Sequence, residues 1–95
     1  MRHPLTRSVL TKEFAMYDMK NLTKLKKLGE LAPLKYKELM AVAVALTTQC
    51  PYCIEVHAKK ARKAGATEQE LAETTLVVAA LRAGGALTHG THARE

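Results

Sequence analysis

The sequence has two cysteines, and both lie in one tetrapeptide, Cys50-Pro51-Tyr52-Cys53. In a reducing compartment, such a pair is typical of redox chemistry or metal binding rather than of a structural disulfide. Proline suits the first position of a helix, which predicts Cys50 at a helix N-terminus, where the helix dipole favours a thiolate. Two sulfurs three residues apart share one helix face, so this pair can also form a disulfide.

Two further residues are candidates for proton transfer at this cysteine pair. His57 follows Cys53 by four residues, which places the imidazole and the thiol on one helix face. A neighbouring histidine is a common means of activating a thiol. Glu38 lies on the preceding predicted helix, and if that helix folds back, its carboxylate is expected to reach His57 and to orient or deprotonate it. The candidate catalytic residues are therefore Cys53, Cys50, His57 and Glu38.

Zinc binding is an alternative use of the same residues. Structural zinc sites have four ligands, of which Cys50, Cys53 and His57 supply three. No second CxxC or HxxxH motif completes the set, and His89 and His92 are distant in the sequence. We therefore expect no metal and no organic cofactor.

Several other polar side chains have simpler interpretations than catalysis. Tyr52 is expected to pack against its neighbours, although its hydroxyl is a possible modulator of the site. Glu55 points away from the face that Cys53 and His57 share and is expected at the surface. His89 and His92 are expected at the surface or at a subunit contact.

The pattern of apolar and capping residues predicts an all-α fold. Helices are expected over 11–28, 34–48 and 51–64, followed by one that begins after Thr67 and continues through Leu81. Thr67 and Glu70 have the spacing of a capping box. Gly84-Gly85 is expected either to break this last helix or to allow a close backbone approach, and the tail from residue 88 is weakly patterned.

Length and composition predict one small soluble domain. The chain has 95 residues, of which 47% are hydrophobic and 25% charged. No apolar run approaches the ~20 residues that span a bilayer, and no apolar segment typical of a secretory signal follows Met1. We therefore expect a cytoplasmic protein without a membrane partner. Because the chain has one Phe and no Trp, its core must be thin and rich in alanine, and neighbouring subunits are expected to complete it.

The charge is uneven along the chain. Residues 1–37 contain nine Lys or Arg and three acidic residues, whereas residues 38–95 contain six of each sign, so the net charge of +6 belongs to the first third. This basic segment is either a solvated helix face or a surface for an acidic partner. No aromatic residues interleave with the lysines of 20–27, which disfavours nucleic-acid binding.

Two resemblances concern the cysteine motif. Cys50-Pro51-Tyr52-Cys53 resembles the glutaredoxin motif letter for letter, but that family places it after a β-strand, and the segment before it here is predicted helical. A better resemblance uses more residues. Glu38, eleven intervening residues, Cys50-x-x-Cys53, three more residues and His57 resemble the signature of the AhpD-like alkylhydroperoxidases. This group belongs to the carboxymuconolactone decarboxylase superfamily, and the likeness covers about residues 30–90.

The resemblance implies a small helical bundle domain, with helices packed within and between the subunits of a homotrimer or homohexamer. The whole chain, 1–95, is then a single domain of this type, with a basic helix over 11–28 before the family-like core. The implied activity is antioxidant reduction of a hydroperoxide by the cysteine pair. The implied reductant is a dithiol on a lipoyl-bearing or thioredoxin-like protein. A general dithiol–disulfide oxidoreductase and a redox-sensing oligomeric module are the alternative functions.

The resemblance also implies a role for each site residue. Cys53 would be the peroxidatic thiol and Cys50 the resolving thiol that meets the reductant. Glu38 and His57 would form the proton relay. The dipole argument favours Cys50 as the more reactive thiol, whereas the spacing to His57 favours Cys53 for attack on peroxide. The chain departs from the best-known members at Tyr52, where they carry a histidine, and a phenol is a poor base at neutral pH.

Overall fold

The computed structural model describes residues 24–29 and 31–95. The chain divides into two compact units, residues 1–31 and residues 32–95. The second unit contains α1 (Leu34–Thr48), α2 (Pro51–Lys63) and α3 (Glu68–His89), and a 3-10 turn, Gly90–Arg94, follows α3. No strand occurs among the described residues, which confirms the all-α prediction.

The described part of the first unit is a short turn near its end. A 3-10 turn spans Leu25–Lys27, so the predicted helix over 11–28 does not end as an α-helix, and residues 11–23 lie outside the described residues. Lys24 and Lys27 are three residues apart, a spacing at which like charges disfavour a helix. Gly29 has a φ of +129°, a conformation that side chains rarely adopt. The single-domain interpretation of residues 1–95 stays a prediction.

A tight junction joins α1 to α2. Gln49 ends α1 in the left-handed conformation, with φ 57° and ψ 46°. The backbone N–H groups of Gln49 and Cys50 both donate to the carbonyl of Ala45, the latter at 3.2 Å. Pro51 then begins α2 with Cys50 as its N-cap, as the sequence predicted. The reversal lays α2 against α1.

The second junction is held by a glycine, an ion pair and a capping box. Gly65 has a φ of +102°, and the N–H of Ala66 donates to the carbonyl of Ala61 at 2.9 Å. Arg62 at the end of α2 donates to both carboxylate oxygens of Glu68, at 2.7 and 3.3 Å. This pairing holds the pKa of the Glu68 carboxyl below its usual value. The end of α2 is therefore fixed to the start of α3.

The capping box at the start of α3 is formed as predicted. The N–H of Glu70 donates to Thr67 Oγ1 at 3.0 Å, and the N–H of Thr67 donates to Glu70 Oε1 at 2.9 Å. The other oxygen of the Glu70 carboxylate lies 3.1 Å from Lys35 Nζ, which ties this cap to the first turn of α1. The Glu70 side chain thereby links the N-terminal ends of α1 and α3.

We expect replacement of Thr67 with Ala to lower the free energy of unfolding by about 1 kcal/mol, the usual loss for an N-cap threonine. Urea denaturation at pH 7 measures the change. Thr75→Ala is the matched control, because Thr75 bonds to the carbonyl of Leu71 and caps no helix end. Equal effects of both substitutions would contradict the capping role.

The same cap gives the stability a dependence on pH. The N–H of Thr67, and then the Lys35 ammonium, hold the pKa of the Glu70 carboxyl below its usual value. A lowered pKa in the folded state stabilises the fold above the unfolded-state pKa, and that contribution is lost as pH falls through the folded-state value. Stability should therefore fall less steeply below about pH 4.5 in Glu70→Gln than in the wild type.

The core of the second unit is small. Among the described residues, the buried apolar side chains are Val42 and Ala45 of α1, Ala61 of α2 and Val78 of α3. The central helix α1 packs against both α2 and α3. Arg82 adds one link by donating to the carbonyl of Thr47 at 3.3 Å. With so few buried side chains the core is thin, as the composition predicted.

The C-terminal end of the chain differs from the sequence-based expectations. The helix α3 continues through Gly84-Gly85 to His89, so the glycines do not break the helix, and the tail forms a 3-10 turn over Gly90–Arg94. A Cβ on either glycine would meet no atom within 4 Å, so no close approach occurs within the described chain. A helical glycine costs only ~1 kcal/mol relative to alanine, which the surrounding alanines and leucines outweigh.

One helical segment is more apolar than the sequence-based expectation allowed. Glu68–Arg94 is long and apolar enough, by length and composition alone, to cross a membrane, and 11% of its apolar stretch is buried within the chain. Arg82 lies near the middle of the stretch between Glu73 and Arg94. An arginine at the centre of a membrane-crossing helix costs ~2.5–3.5 kcal/mol, which disfavours that placement.

Candidate active site

The two cysteines lie together at the N-terminal end of α2. Cys50 and Cys53 form a disulfide, with their Cα atoms 5.3 Å apart. Cys50 is also the N-cap, and its Sγ accepts a hydrogen bond from the backbone N–H of Cys53 at 3.3 Å. Both residues are half-buried, so exposure does not distinguish the one that meets a reductant. After reduction, this N–H and the helix dipole would both stabilise a thiolate at Cys50.

A buried carboxylate lies beside the histidine of α2. His57 Nδ1 lies 2.8 Å from Glu38 Oε2, and the side chains are 26% and 4% exposed. Glu38 shares a face of α1 with Val42 and Ala45, which carries it into the core. It is the buried charged residue of the described chain, and buried charges require a partner. The fold-back that would bring Glu38 to His57 is therefore observed.

This hydrogen bond determines which nitrogen of the imidazole is available for chemistry. A carboxylate accepts, so we assign the Nδ1 proton of His57 to the bond with Glu38. In the neutral ring, Nε2 then carries the lone pair and can act as a base. The arrangement is that of a general base oriented by a carboxylate, and His57 lies one helical turn after Cys53 on the same helix.

A cluster of basic residues lies at the C-terminal end of α2. Lys60, Arg62 and Lys63 occupy its last turn, where cations interact favourably with the helix dipole. Lys59 pairs with Glu55 at 3.8 Å, and both side chains are exposed, which agrees with the surface position expected for Glu55. Sequence reasoning placed the basic excess before residue 38, whereas this cluster lies on the same helix as the cysteines.

The remaining candidate residues are exposed at the surface of the described chain. Tyr52 is 75% exposed, so the expectation that it packs is wrong: it occupies the first turn of α2, where its ring points away from the core. His89 and His92 are exposed and stack on each other with ring centroids 5.6 Å apart. Within residues 24–29 and 31–95, no group of three or more His, Cys, Asp or Glu is placed to hold a metal ion.

Two features of the junction between α1 and α2 were not predicted from the sequence. Gln49 takes a left-handed conformation that glycine or asparagine usually occupies, so its identity gave no signal. Arg82 bonds to the last turn of α1, two residues before Gln49, and no spacing rule connects such distant positions. Both features lie at the junction that leads from α1 to Cys50.

These features define the class of protein as a small helical domain in which one helix carries a disulfide-bonded cysteine pair at its N-terminus and the histidine of a Glu–His pair one turn further on. The chain belongs to the carboxymuconolactone decarboxylase family, whose sequence profile matches residues 13–95. This family contains the AhpD-like proteins, so the resemblance noted from the sequence is confirmed at the level of the family.

A more specific similarity is to a protein of Paracoccus denitrificans named "Uncharacterized protein 4 in cox locus". The two are 53% identical over 57 residues, which cover 60% of this chain and 51% of that protein. The matched segment thus spans about half the length of the relative, whose name states no activity.

Proposed function

We propose that the protein is a thiol-dependent peroxidase that reduces a hydroperoxide to an alcohol and water with electrons from an external dithiol. The observation that carries the proposal is the hydrogen bond between Glu38 and His57. His57 lies on α2, the helix whose N-terminus holds the Cys50–Cys53 disulfide. Membership of the carboxymuconolactone decarboxylase family supports it. Typical decarboxylases of this superfamily lack the cysteine pair that this chain carries. We therefore do not propose decarboxylation.

The first step oxidises Cys53. His57 Nε2 takes the proton of the Cys53 thiol, and the thiolate attacks one oxygen of the hydroperoxide. The S–O bond forms as the O–O bond breaks, so Cys53 becomes a sulfenic acid and the alkoxide leaves. The imidazolium then returns its proton to the alkoxide, which departs as an alcohol. Glu38 stabilises the transient positive charge on His57.

The second step forms the disulfide that the structure contains. The Cys50 sulfur attacks the Cys53 sulfur, the S–O bond breaks, and hydroxide leaves as water with the proton of the Cys50 thiol. The N–H of Cys53 holds the Cys50 sulfur at 3.3 Å, which keeps the two sulfurs adjacent. An external dithiol then attacks Cys50, passes through a mixed disulfide, and leaves as its own disulfide with both protein thiols restored.

The reductant of this cycle is proposed to be a dithiol on an acidic lipoyl-bearing or thioredoxin-like protein in the cytoplasm. The support is charge: the last turn of α2 is basic, and so is the first third of the sequence. Tyr52 lies between the two cysteines in the sequence, and its exposed ring offers a contact for such a partner. A phenol is a poor base at neutral pH, so Tyr52 is not expected to transfer protons, and the relay is left to Glu38 and His57.

The test is a comparison of two activities of the reduced protein with the same dithiol present. We expect rapid consumption of an organic hydroperoxide and slower reduction of insulin disulfides. Fast insulin reduction without hydroperoxide turnover would instead support a general dithiol–disulfide oxidoreductase. Stoichiometric zinc in the purified reduced protein, with neither activity, would support a metal-binding or redox-sensing module.

A further inference from the structure

Two histidines lie side by side where α3 ends. His89 is the last residue of α3, and His92 lies in the 3-10 turn Gly90–Arg94 that follows it. Their rings stack with centroids 5.6 Å apart and with planes inclined by 24°. Both residues are exposed, and neither takes part in the proposed peroxidase chemistry. We call His89 and His92 the histidine pair, and it is a cluster of potential ligands outside the candidate active site.

The local backbone explains why the two rings meet. A 3-10 turn has three residues per turn, so side chains three residues apart lie one above the other. The change from α3 to the 3-10 turn therefore brings His92 onto the same side of the chain as His89. Thr91 supports the turn, because its hydroxyl donates to the carbonyl of Thr88 at 3.0 Å. The pairing thus follows from the backbone and from the spacing of the two residues.

The separation of the rings fits a shared metal ion. Zinc–nitrogen bonds to histidine are ~2.0–2.1 Å, so two imidazoles on one tetrahedral ion have ring centres about 5 Å apart. The observed 5.6 Å is close to this value, and exposed side chains can rotate to close the difference. The pair also lies at the C-terminal end of a helix of 22 residues, where the helix dipole favours positive charge. Arg94 follows His92 by two residues, which directs it to another side of the turn.

We propose that His89 and His92 form a binding site for a divalent transition-metal ion of the kind that imidazole ligands suit, such as zinc, copper or nickel. Among the described residues, no third His, Cys, Asp or Glu is placed to join them. Water would therefore fill the remaining coordination positions, as it does in zinc sites with an open position. The bound ion would link the end of α3 to the turn that follows it.

The histidine pair differs from the zinc alternative considered for the cysteine motif. That alternative uses Cys50, Cys53 and His57 as ligands, and it requires reduced thiols. In the structure the cysteines form a disulfide, and Nδ1 of His57 is bonded to Glu38. The histidine pair contains no thiol, so it can bind metal in both oxidation states of the protein. The inference is therefore independent of the proposed peroxidase activity.

The test is a zinc titration of the full chain in its disulfide form, measured by isothermal titration calorimetry at neutral pH. We expect zinc to bind the wild type, and to bind at least tenfold more weakly to His89→Ala and to His92→Ala. Circular dichroism checks that both variants keep the helix content of the wild type. Absence of zinc binding in the wild type, or wild-type affinity in either variant, would overturn the proposal.

The matched control exchanges two neighbouring residues. The double variant Thr91→His/His92→Thr keeps the composition, the charge and the number of histidines, but it loses the three-residue spacing from His89. It should bind zinc as weakly as the alanine variants. Wild-type affinity in the exchanged chain would mean that histidine content, rather than the paired geometry, determines binding, and it would contradict the proposal.

Nuclear magnetic resonance of the histidine rings identifies the ligands directly. Zinc added to the disulfide form should shift the ring signals of both His89 and His92 and leave those of His57 in place. A shift at His57 without one at the histidine pair would assign the zinc to the candidate active site and would overturn the proposal.

Discussion

Replacement of Cys53 with Ser is expected to abolish hydroperoxide turnover, because the oxygen-accepting sulfur is then missing. Cys50→Ser is the matched variant, and it should react once: one equivalent of hydroperoxide is consumed, and Cys53 remains as a sulfenic acid that dimedone traps. The two variants remove one sulfur each from the same disulfide at the start of α2. Hydroperoxide consumption and the mass of the trapped adduct measure the outcome.

This pair of variants also decides which thiol attacks the peroxide. The helix-dipole argument favours Cys50, since its Sγ accepts the N–H of Cys53 at 3.3 Å and it lies at the helix N-terminus. Cys53 has the base, because His57 follows it by one turn. A sulfenic acid at Cys50 in Cys53→Ser, with an inert Cys50→Ser variant, would reverse the proposed roles.

Replacement of His57 with Gln is expected to lower the rate of disulfide formation by about 10²–10⁴-fold, the usual contribution of a positioned general base. Glu38→Gln keeps an oxygen that accepts the Nδ1–H of His57 but removes the negative charge, so it should retain more activity than Glu38→Ala. Because Glu38 and His57 act as one unit, the double variant should lose little more than His57→Gln alone. Single-turnover kinetics with the reduced protein measure these rates.

The control for the Glu–His pair is Glu55→Gln. Glu55 is on the same helix as His57, but it is exposed and its partner is Lys59. We expect this variant to form the disulfide at the wild-type rate. A similar loss in Glu55→Gln and Glu38→Gln would mean that the overall charge of the surface, rather than the 2.8 Å contact with His57, controls the reaction.

Local signals in the sequence were sufficient to predict the helices that hold the site. Pro51 at the first position of α2 and the Thr67–Glu70 capping box both act within one turn, so their consequences do not depend on the rest of the chain. The helix-period spacing of Cys53 and His57 is equally local. The approach of Glu38 required an assumption about how α1 and α2 pack, and the short junction between them makes an antiparallel arrangement the accessible one.

Other features depend on interactions that a local pattern does not contain. Gln49 adopts a left-handed conformation because the chain must reverse between α1 and α2, and its residue type gives no indication of it. The helix continues through Gly84-Gly85 because the alanines and leucines around them compensate for two poor helix formers. Tyr52 is apolar enough to suggest packing, but its position in the first turn of α2 exposes it.

The most direct test of the proposed peroxidase is a rapid-quench mass spectrum of the peptide that contains both cysteines. The protein is reduced, mixed with one equivalent of an organic hydroperoxide and quenched by alkylation within seconds. The proposed mechanism predicts that this peptide has lost two hydrogens and carries no alkyl group, and that the loss is slow in His57→Gln. Two alkylated cysteines in the wild type after the same interval would contradict the proposed mechanism.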